Sequence, residues 1–227
     1  MQLNKLHCPE YLLPKDRYMN PKRNYQKELD RIIADQEREG RTPRLLLHCC
    51  CAPCSSYVFE YLSEYFSITA FFYNPNITEE AEYRKRVDEI RRLIREQPHV
   101  HEVTLLEGPY EPERFFSEAA GGYEDCREGG ERCARCFRLR LSESAAAARR
   151  GGFDYVSTTL TISPLKNAAV LNAIGEEEAA AHQVAWLPCD FKKRDGYKRS
   201  TQLSDEYGLY RQDYCGCVYS LRRDLQL

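Results

Sequence analysis

Four thiols crowd the run His48-Cys49-Cys50-Cys51-Ala52-Pro53-Cys54, and two further pairs, Cys133-Ala134-Arg135-Cys136 and Cys215-Gly216-Cys217, follow far along the chain. A hydrophobic core does not call for such clusters, so metal ligation or redox chemistry at sulfur is the reading they raise. In a continued strand the adjacent Cys50 and Cys51 would point to opposite faces. Both serve one site only if the backbone turns there, and Ala52-Pro53 supplies the turn. Cys133 and Cys136 are three apart, so on a helix they share a face, and the helix amino terminus favours their thiolates. Two such pairs about eighty residues apart give four sulfur ligands. That set suits zinc and an iron–sulfur cluster equally well, with ordinary buried cysteines as the bland alternative. A single glycine between Cys215 and Cys217 allows a tight, easily reduced disulfide suited to a redox relay. Extra metal ligation or two free thiols are the alternatives for that pair. Cys54 is close enough to join the site; Cys49, Cys126 and Cys189 are weaker candidates, and Cys8 is incidental.

Other residues around the sulfurs offer binding and proton transfer. The stretch from Asp190 to Ser200 combines Lys192, Lys193, Tyr197 and Arg199, which suit phosphates and a stacked base, against the alternative of a solvated loop. Asp190 is a candidate proton donor or a helix cap. Tyr73 is a second candidate donor, and Asn74 and Asn76 end the same strand, where an Asn-Pro turn also needs no ligand. His48 is a candidate partner for a sulfur or a satisfied core residue. Arg132, Arg135, Arg138 and Arg140 make the Cys133 helix basic, either to draw in a polyanion or to solubilise its surface.

These residues must be held by a scaffold. The pattern predicts a helix near Tyr25 to Glu39 in a polar amino-terminal extension over residues 1–43. A strand at Arg44 to His48 then runs straight into the cysteine cluster, followed by a helix from Ser55 to Tyr65. Strands are predicted at Ile68 to Tyr73, Val100 to Leu106, Phe153 to Thr159 and Val184 to Leu187. Between them come a helix capped by Thr78 and reaching about Gln97, a short one over Pro112 to Ala120, one from about Arg132 to Arg150, and one starting at Ser163-Pro164 and running towards His182. Strands alternating with helices indicate a parallel, three-layer α/β sheet in a single domain over residues 44–227. In such sheets the ligand crevice lies at the carboxyl ends of the strands, where the Cys49 to Cys54 loop falls.

Composition narrows the class. A net charge of −2 excludes a protein that coats nucleic acid by charge alone, and the hydrophobic fraction of 42% is that of a globular domain. No apolar run reaches the ~20 residues of a membrane helix, and the first residues lack a signal-peptide pattern, so the expected location is cytoplasmic. Eleven cysteines clustered in a chain of this length read, in a reducing compartment, as ligands or redox groups.

Taken together, LLLHCCCAPCS, FFYNPNI followed by EYRKR, ERCARCFRLRL, TTLTISPLKN, DFKKRDGYKRS and LYRQDYCGCVYS resemble the QueH-type epoxyqueuosine reductases over about Arg44 to Ser220. The resemblance implies a HUP-like (adenine-nucleotide α-hydrolase-like) fold. It also implies a 4Fe-4S enzyme, an oxidoreductase of queuosine biosynthesis, that reduces the epoxide of epoxyqueuosine at the wobble position of tRNA, with water as co-product and an external electron donor. By motif, Cys50, Cys51, Cys133 and Cys136 are then the expected cluster ligands, and Cys215 and Cys217 the redox-active disulfide. The family allows a second, mononuclear iron, for which Cys54 is the nearest spare thiol. Two other classes stand beside this one. An ATP-dependent tRNA-modifying enzyme of the same fold would need an SGGxDS-type glycine loop where HCCCAPCSS stands. A noncatalytic, zinc-stapled RNA-binding module would contain zinc and be colourless.

Overall fold

The computed structural model describes residues 23–221. Five parallel strands form one sheet in the order β3-β2-β1-β4-β5: β1 (Arg44–His48), β2 (Ser67–Phe72), β3 (Val103–Glu107), β4 (Tyr155–Thr158) and β5 (Ala185–Trp186). The longer helices among the described residues are α1 (Tyr25–Arg38) before β1, α2 (Ala52–Leu62), α3 (Glu80–Glu96), α4 (Glu131–Arg150) and α5 (Ala168–Ala181) between strands, and α6 (Gly196–Glu206) after β5. The three layers follow from strand alternation. Leu45, Leu47, Ile68, Ala70 and Phe72 join Leu29, Val58, Phe59 and Ile90 in the core under α1, α2 and α3. Leu46, Phe71, Tyr73 and Val156 face the other way, onto Ala145 and Ala148 of α4 and Ala179 of α5. This is the doubly wound α/β architecture expected of a HUP-like domain. Strand order reverses between β1 and β4, so the crevice of the switch point opens where the cysteine loop leaves β1.

Several boundaries differ from the sequence pattern for physical reasons. Leu29 and Ile33 of α1 are buried in the main core; residues 1–22 of the extension lie outside the described residues. Helix α2 begins at Ala52 with Pro53 in its first turn, which brings Cys54 onto the helix. Pro164 keeps Ser163 extended (φ −68°, ψ 128°), so no helix starts there. A 3-10 turn, Thr159–Ile162, follows β4 instead, and α5 starts only after Asn167, whose side chain accepts from the amides of Ala169 and Val170. The basic stretch after Asp190 is a loop only as far as Asp195, because α6 begins at Gly196. The stretch Pro112 to Ala120 is a short α-turn, Pro112–Arg114, continuing as a π-helical turn, Phe115–Ala120. No helix among the described residues is long and apolar enough to cross a membrane.

His99, between α3 and β3, offers a test of the packing on this side. Its ring meets Phe59 edge-on at 6.0 Å, and neither ring nitrogen has a partner at hydrogen-bonding geometry. Burial holds its pKa below the ordinary histidine value, offset only in part by the Ile94 carbonyl. The unfolded chain therefore takes up the proton first, and this site loses stability as pH falls below about 6.5. His99→Phe removes two unpaired polar atoms and is expected to add on the order of 1 kcal/mol near neutral pH, with a larger gain at pH 5. Urea midpoints measured across pH check this; parallel curves for the two proteins would refute it.

Candidate functional site

The site is built at the carboxyl ends of β1 and β4. His48 closes β1 and is fully buried; its Nδ1 lies 2.9 Å from Thr158 Oγ1 and its Nε2 lies 3.1 Å from the Tyr73 carbonyl. Burial, with the Arg140 charge beside it, lowers its pKa to about 3, so it is a neutral core histidine and not a proton source. Arg140 donates to Asn74 Oδ1 at 2.5 Å, and Asn74 Nδ2 donates to the Cys49 carbonyl at 2.9 Å. This buried chain ties α4 to the turn that sets Cys50 and Cys51, and each member leaves the next unpaired if removed.

Past Cys49 the backbone turns as the sequence requires. Cys51 is the extended residue just before α2 (φ −170°, ψ 161°), and the Cys50, Cys51 and Cys54 sulfurs all lie within 4.8 Å of one another. Cys50 and Cys51 are 3.7 Å apart. That spacing suits two thiolates on one metal at roughly 2.3 Å from each. Hydrogen bonds from Cys51 and Cys54 hold the Cys50 thiol well below its ordinary range, with help from the charges of Lys166 and Arg140 against burial. The same hydrogen bond pushes Cys51 up to about 12, and Cys54 rises as well. The shifts are opposite in direction, so the charged form is favoured at Cys50 over Cys51 and Cys54.

The second pair sits on the first turns of α4, on one face as predicted. Cys133 Sγ accepts from the Gly129 amide at 3.3 Å, and burial pushes Cys136 up to about 11. Cys136 packs with Cys217, Phe115 and Ala119, so the π-helical turn seals this side. Cys215 and Cys217 are free thiols in this structure, the reduced form of the pair and not the expected disulfide. The hydrogen bond from Cys217 holds Cys215 well below its ordinary range, and Ser220 Oγ at 3.0 Å adds to it.

Two adjoining cavities connect these elements. The larger, about 240 Å³, is lined by Cys50, Cys54, Cys215, Tyr197 and four cations, Arg86, Arg140, Lys166 and Arg211. The smaller, about 40 Å³, is lined by Cys133, Cys136, Cys215, Cys217 and Asn76, and shares Arg140 and Lys166 with the first. Cys50 and Cys54 thus open on one cavity and Cys133 and Cys136 on the other, with Cys215 common to both. Lys166 was not legible as a site residue. It lies in the Ser163–Asn167 loop, and its position depends on the β1/β4 switch. Burial opposes its charge, yet the Cys50, Cys54 and Cys215 sulfurs raise its pKa above the ordinary lysine value.

Other expected residues fall into two groups. Tyr197, 46% exposed, stands in the wall of the larger cavity. Asn76 lines the smaller one, donates to the Cys215 carbonyl at 3.1 Å and keeps a buried Oδ1 without a partner. Lys193 is exposed and lines neither cavity. The remainder are committed elsewhere. Tyr73 is fully buried, its hydroxyl donates to Glu111 at 3.0 Å and accepts from Arg114 at 2.9 Å, and it lines neither cavity. Asp190 also lies outside both; its Oδ1 is 3.1 Å from Lys192 Nζ, an ion pair too bent for a hydrogen bond. Lys192 donates to the carbonyls of Thr161 (2.7 Å) and Lys166 (3.3 Å), and Arg199 makes a two-pronged pair with Glu60. Asn74 is the structural link described above. Nor is α4 a basic stripe. Arg132 holds the carbonyls of Tyr123, Glu124 and Cys126, Arg135 donates to the Glu118 carbonyl, Arg138 pairs with Glu177 and Glu178, and Arg140 is buried.

The donor set tests what this site can hold. Cys50, Cys51 and Cys54 offer only sulfur, Cys133 and Cys136 open on the adjoining cavity, and buried guanidinium groups stand by to balance thiolate charge. Such soft, largely buried ligands fit thiophilic iron or zinc and not a hard cation. The family model for epoxyqueuosine reductase QueH matches residues 45–223. Similar proteins of that name occur in Staphylococcus epidermidis (41% identity over 204 residues, 88% of this chain and 86% of the relative) and Streptococcus pyogenes (40% over 208 residues, 90% and 81%). Another, in Thermotoga maritima, is 36% identical over 182 residues, covering 78% of this chain and 90% of the relative. The chain belongs to the epoxyqueuosine reductase QueH family and is an oxidoreductase.

Proposed function

We propose that this protein reduces the epoxide of epoxyqueuosine at the wobble position of tRNA to the alkene of queuosine, with release of water. The observation that carries the reading is the meeting of three cysteine motifs around two adjoining cavities at the sheet's switch point, in a chain of the family whose relatives bear that activity in their name. Removing the oxygen takes two electrons and two protons, and among protein groups only a redox cofactor or a thiol pair can supply the electrons. A 4Fe-4S cluster held by Cys50, Cys51, Cys133 and Cys136 would supply one-electron transfer from an external donor. Cys54, within 4.8 Å of Cys50 and Cys51, is the thiol available to a second, mononuclear iron.

The chain's own residues do the rest. Cys215 and Cys217, a dithiol beside both cavities, are suited to storing an electron pair as a disulfide and returning it. Tyr197 at the cavity wall offers an aromatic face for the modified base, which must leave the anticodon stack to reach the thiols. Asn76 Oδ1, buried and unpartnered, is an acceptor for a hydroxyl or amine of the substrate. Phe115 and the turn around it keep bulk water from the inner cavity.

The test is anaerobic reconstitution with iron and sulfide, followed by nucleoside mass spectrometry of epoxyqueuosine-containing tRNA incubated with a chemical reductant. Loss of the epoxide only in the reconstituted sample is expected. The 3.7 Å spacing of Cys50 and Cys51 also fits a single zinc ion. Colourless, zinc-loaded protein that leaves the epoxide intact would overturn the reading in favour of a zinc-stapled RNA-binding module.

A further inference from the structure

Breaking an epoxide requires a group that meets the oxygen as negative charge develops on it, and neither Tyr73 nor Asp190 reaches the thiol-lined cavities. The cations that line them differ in one respect. Arg86 is held by Glu82 at 2.6 Å and by the carbonyls of Cys215 and Tyr214. Arg140 is held by Asn74 and His48, and Arg211 at the rim lies 3.6 Å from Asp205. Lys166 borders both cavities, and among the described residues its ammonium makes no hydrogen bond and no ion pair. A partly buried cation that faces both cavities with three N–H donors and no protein acceptor is free to take a ligand oxygen in place of cavity water.

Its backbone, by contrast, is fixed. The Lys166 amide donates to the Ser163 carbonyl at 3.1 Å, and its own carbonyl accepts from Lys192, which Asp190 holds from the other side. The loop is therefore rigid where the side chain is unengaged. Leu165, 78% exposed, and Tyr197 stand at the mouth of the same cavity, so a base passing between them would bring its substituent towards Lys166.

We propose that Lys166 is the catalytic proton donor of this site, its ammonium hydrogen-bonding the epoxide oxygen and protonating it as the C–O bond breaks. The inference rests on the functional reading above and deepens it. In the overall step both C–O bonds of the epoxide break, a C=C bond forms, two electrons enter from an external one-electron reductant, and the oxygen leaves as water. Lys166 gives the first proton, solvent gives the second, and solvent then restores the ammonium.

The test compares anaerobically reconstituted wild type, Lys166→Met and Lys166→Arg on a tRNA anticodon arm carrying epoxyqueuosine. Three quantities are read: iron and sulfide content, binding to epoxide-bearing RNA against the same RNA carrying queuosine, and single-turnover rate with dithionite. Wild type is expected to prefer the epoxide RNA. Lys166→Met should lose that preference, keep its iron, and slow by about 100- to 10,000-fold, the usual range for a general acid. Lys166→Arg should recover the binding preference but not the rate, because a guanidinium does not give up its proton. Unchanged rate and preference in Lys166→Met would overturn the proposal. So would loss of iron in that variant, which would make Lys166 a counter-charge for the metal centre, and so would full rate in Lys166→Arg. Wild type that leaves the epoxide untouched would instead sink the functional reading and this proposal with it.

Discussion

Cys51→Ala, purified without oxygen, is expected to lose most of its iron and to drop in turnover below detection, while its far-ultraviolet circular dichroism matches the wild type. Cys51 lies 3.7 Å from Cys50 and within 4.8 Å of Cys54, so its removal takes one sulfur from a set of three. Its sulfur bonds within its own turn, to Cys50 and to Cys54, and alanine is compatible with the extended residue preceding α2. The fold should therefore survive even though the ligand does not. Outer partners of metal ligands cost roughly 10- to 100-fold in affinity when removed, and a ligand itself should cost more. Cys133→Ala is expected to have the same outcome, because the proposed centre draws on both cavities. If Cys133→Ala keeps full iron and Cys51→Ala does not, the metal belongs to Cys50, Cys51 and Cys54 alone. Cys189→Ala provides the contrast. That thiol is fully buried and receives hydrogen bonds from Ser157 and Thr161 at 3.5 and 3.3 Å. Its removal should cost stability, on the order of 1–3 kcal/mol, and leave iron content unchanged.

What the sequence made legible follows from how local the signals are. The strand Arg44–His48 and the turn at Ala52-Pro53 are dictated within a few residues. The i, i+3 spacing of Cys133 and Cys136 reads directly as one helix face. The parallel sheet follows from alternation alone, and with it the placing of the cysteine loop at a carboxyl edge. Side-chain direction at strand ends was less accessible. Phe71 and Tyr73 share one parity of β2, which puts Tyr73 under α4 with Glu111 and Arg114 and away from the sulfurs. That parity was available, but nothing local says which face carries the site. The run from Asp190 to Arg199 looked like a ligand loop because charge and glycine suggest solvent. In the fold, Arg194 and Arg199 instead clamp α6 to α1 and α2 through Asp30 and Glu60, contacts with sequence separations of 164 and 139 residues. Lys166 carries no local signal for the converse reason. One lysine in a loop after β4 carries no signal until the switch point brings it opposite Cys50.

Gly216→Ala is expected to slow turnover by on the order of 100-fold while iron content stays near that of wild type, because it shifts the dithiol and leaves the proposed cluster ligands in place. Gly216 has φ +100°, a conformation L-residues rarely adopt. A Cβ there would lie 2.6 Å from Ile77 Cγ1 and 3.3 Å from Ile77 Cα, and Ile77 is buried in the core. The loop has little room to relax. Asn76 and Arg86 hold the Cys215 carbonyl, Arg86 also holds that of Tyr214, and the Gly216 carbonyl accepts from the Thr78 amide at 3.3 Å. Relief must come from Cys215 and Cys217 moving relative to the cavities, and a displacement near 1 Å at reacting groups can cost about 100-fold. Gly208→Ala separates this from backbone strain. Gly208 also has positive φ, +54°, but nothing lies within 4 Å of its Cβ position. It should lose a comparable increment of stability, about 1 kcal/mol, and keep its rate. Rates and melting temperatures of the two variants decide the matter. Equal slowing of both would assign the effect to general destabilisation, and wild-type turnover in Gly216→Ala would show that the position of Cys215 and Cys217 does not govern the reaction.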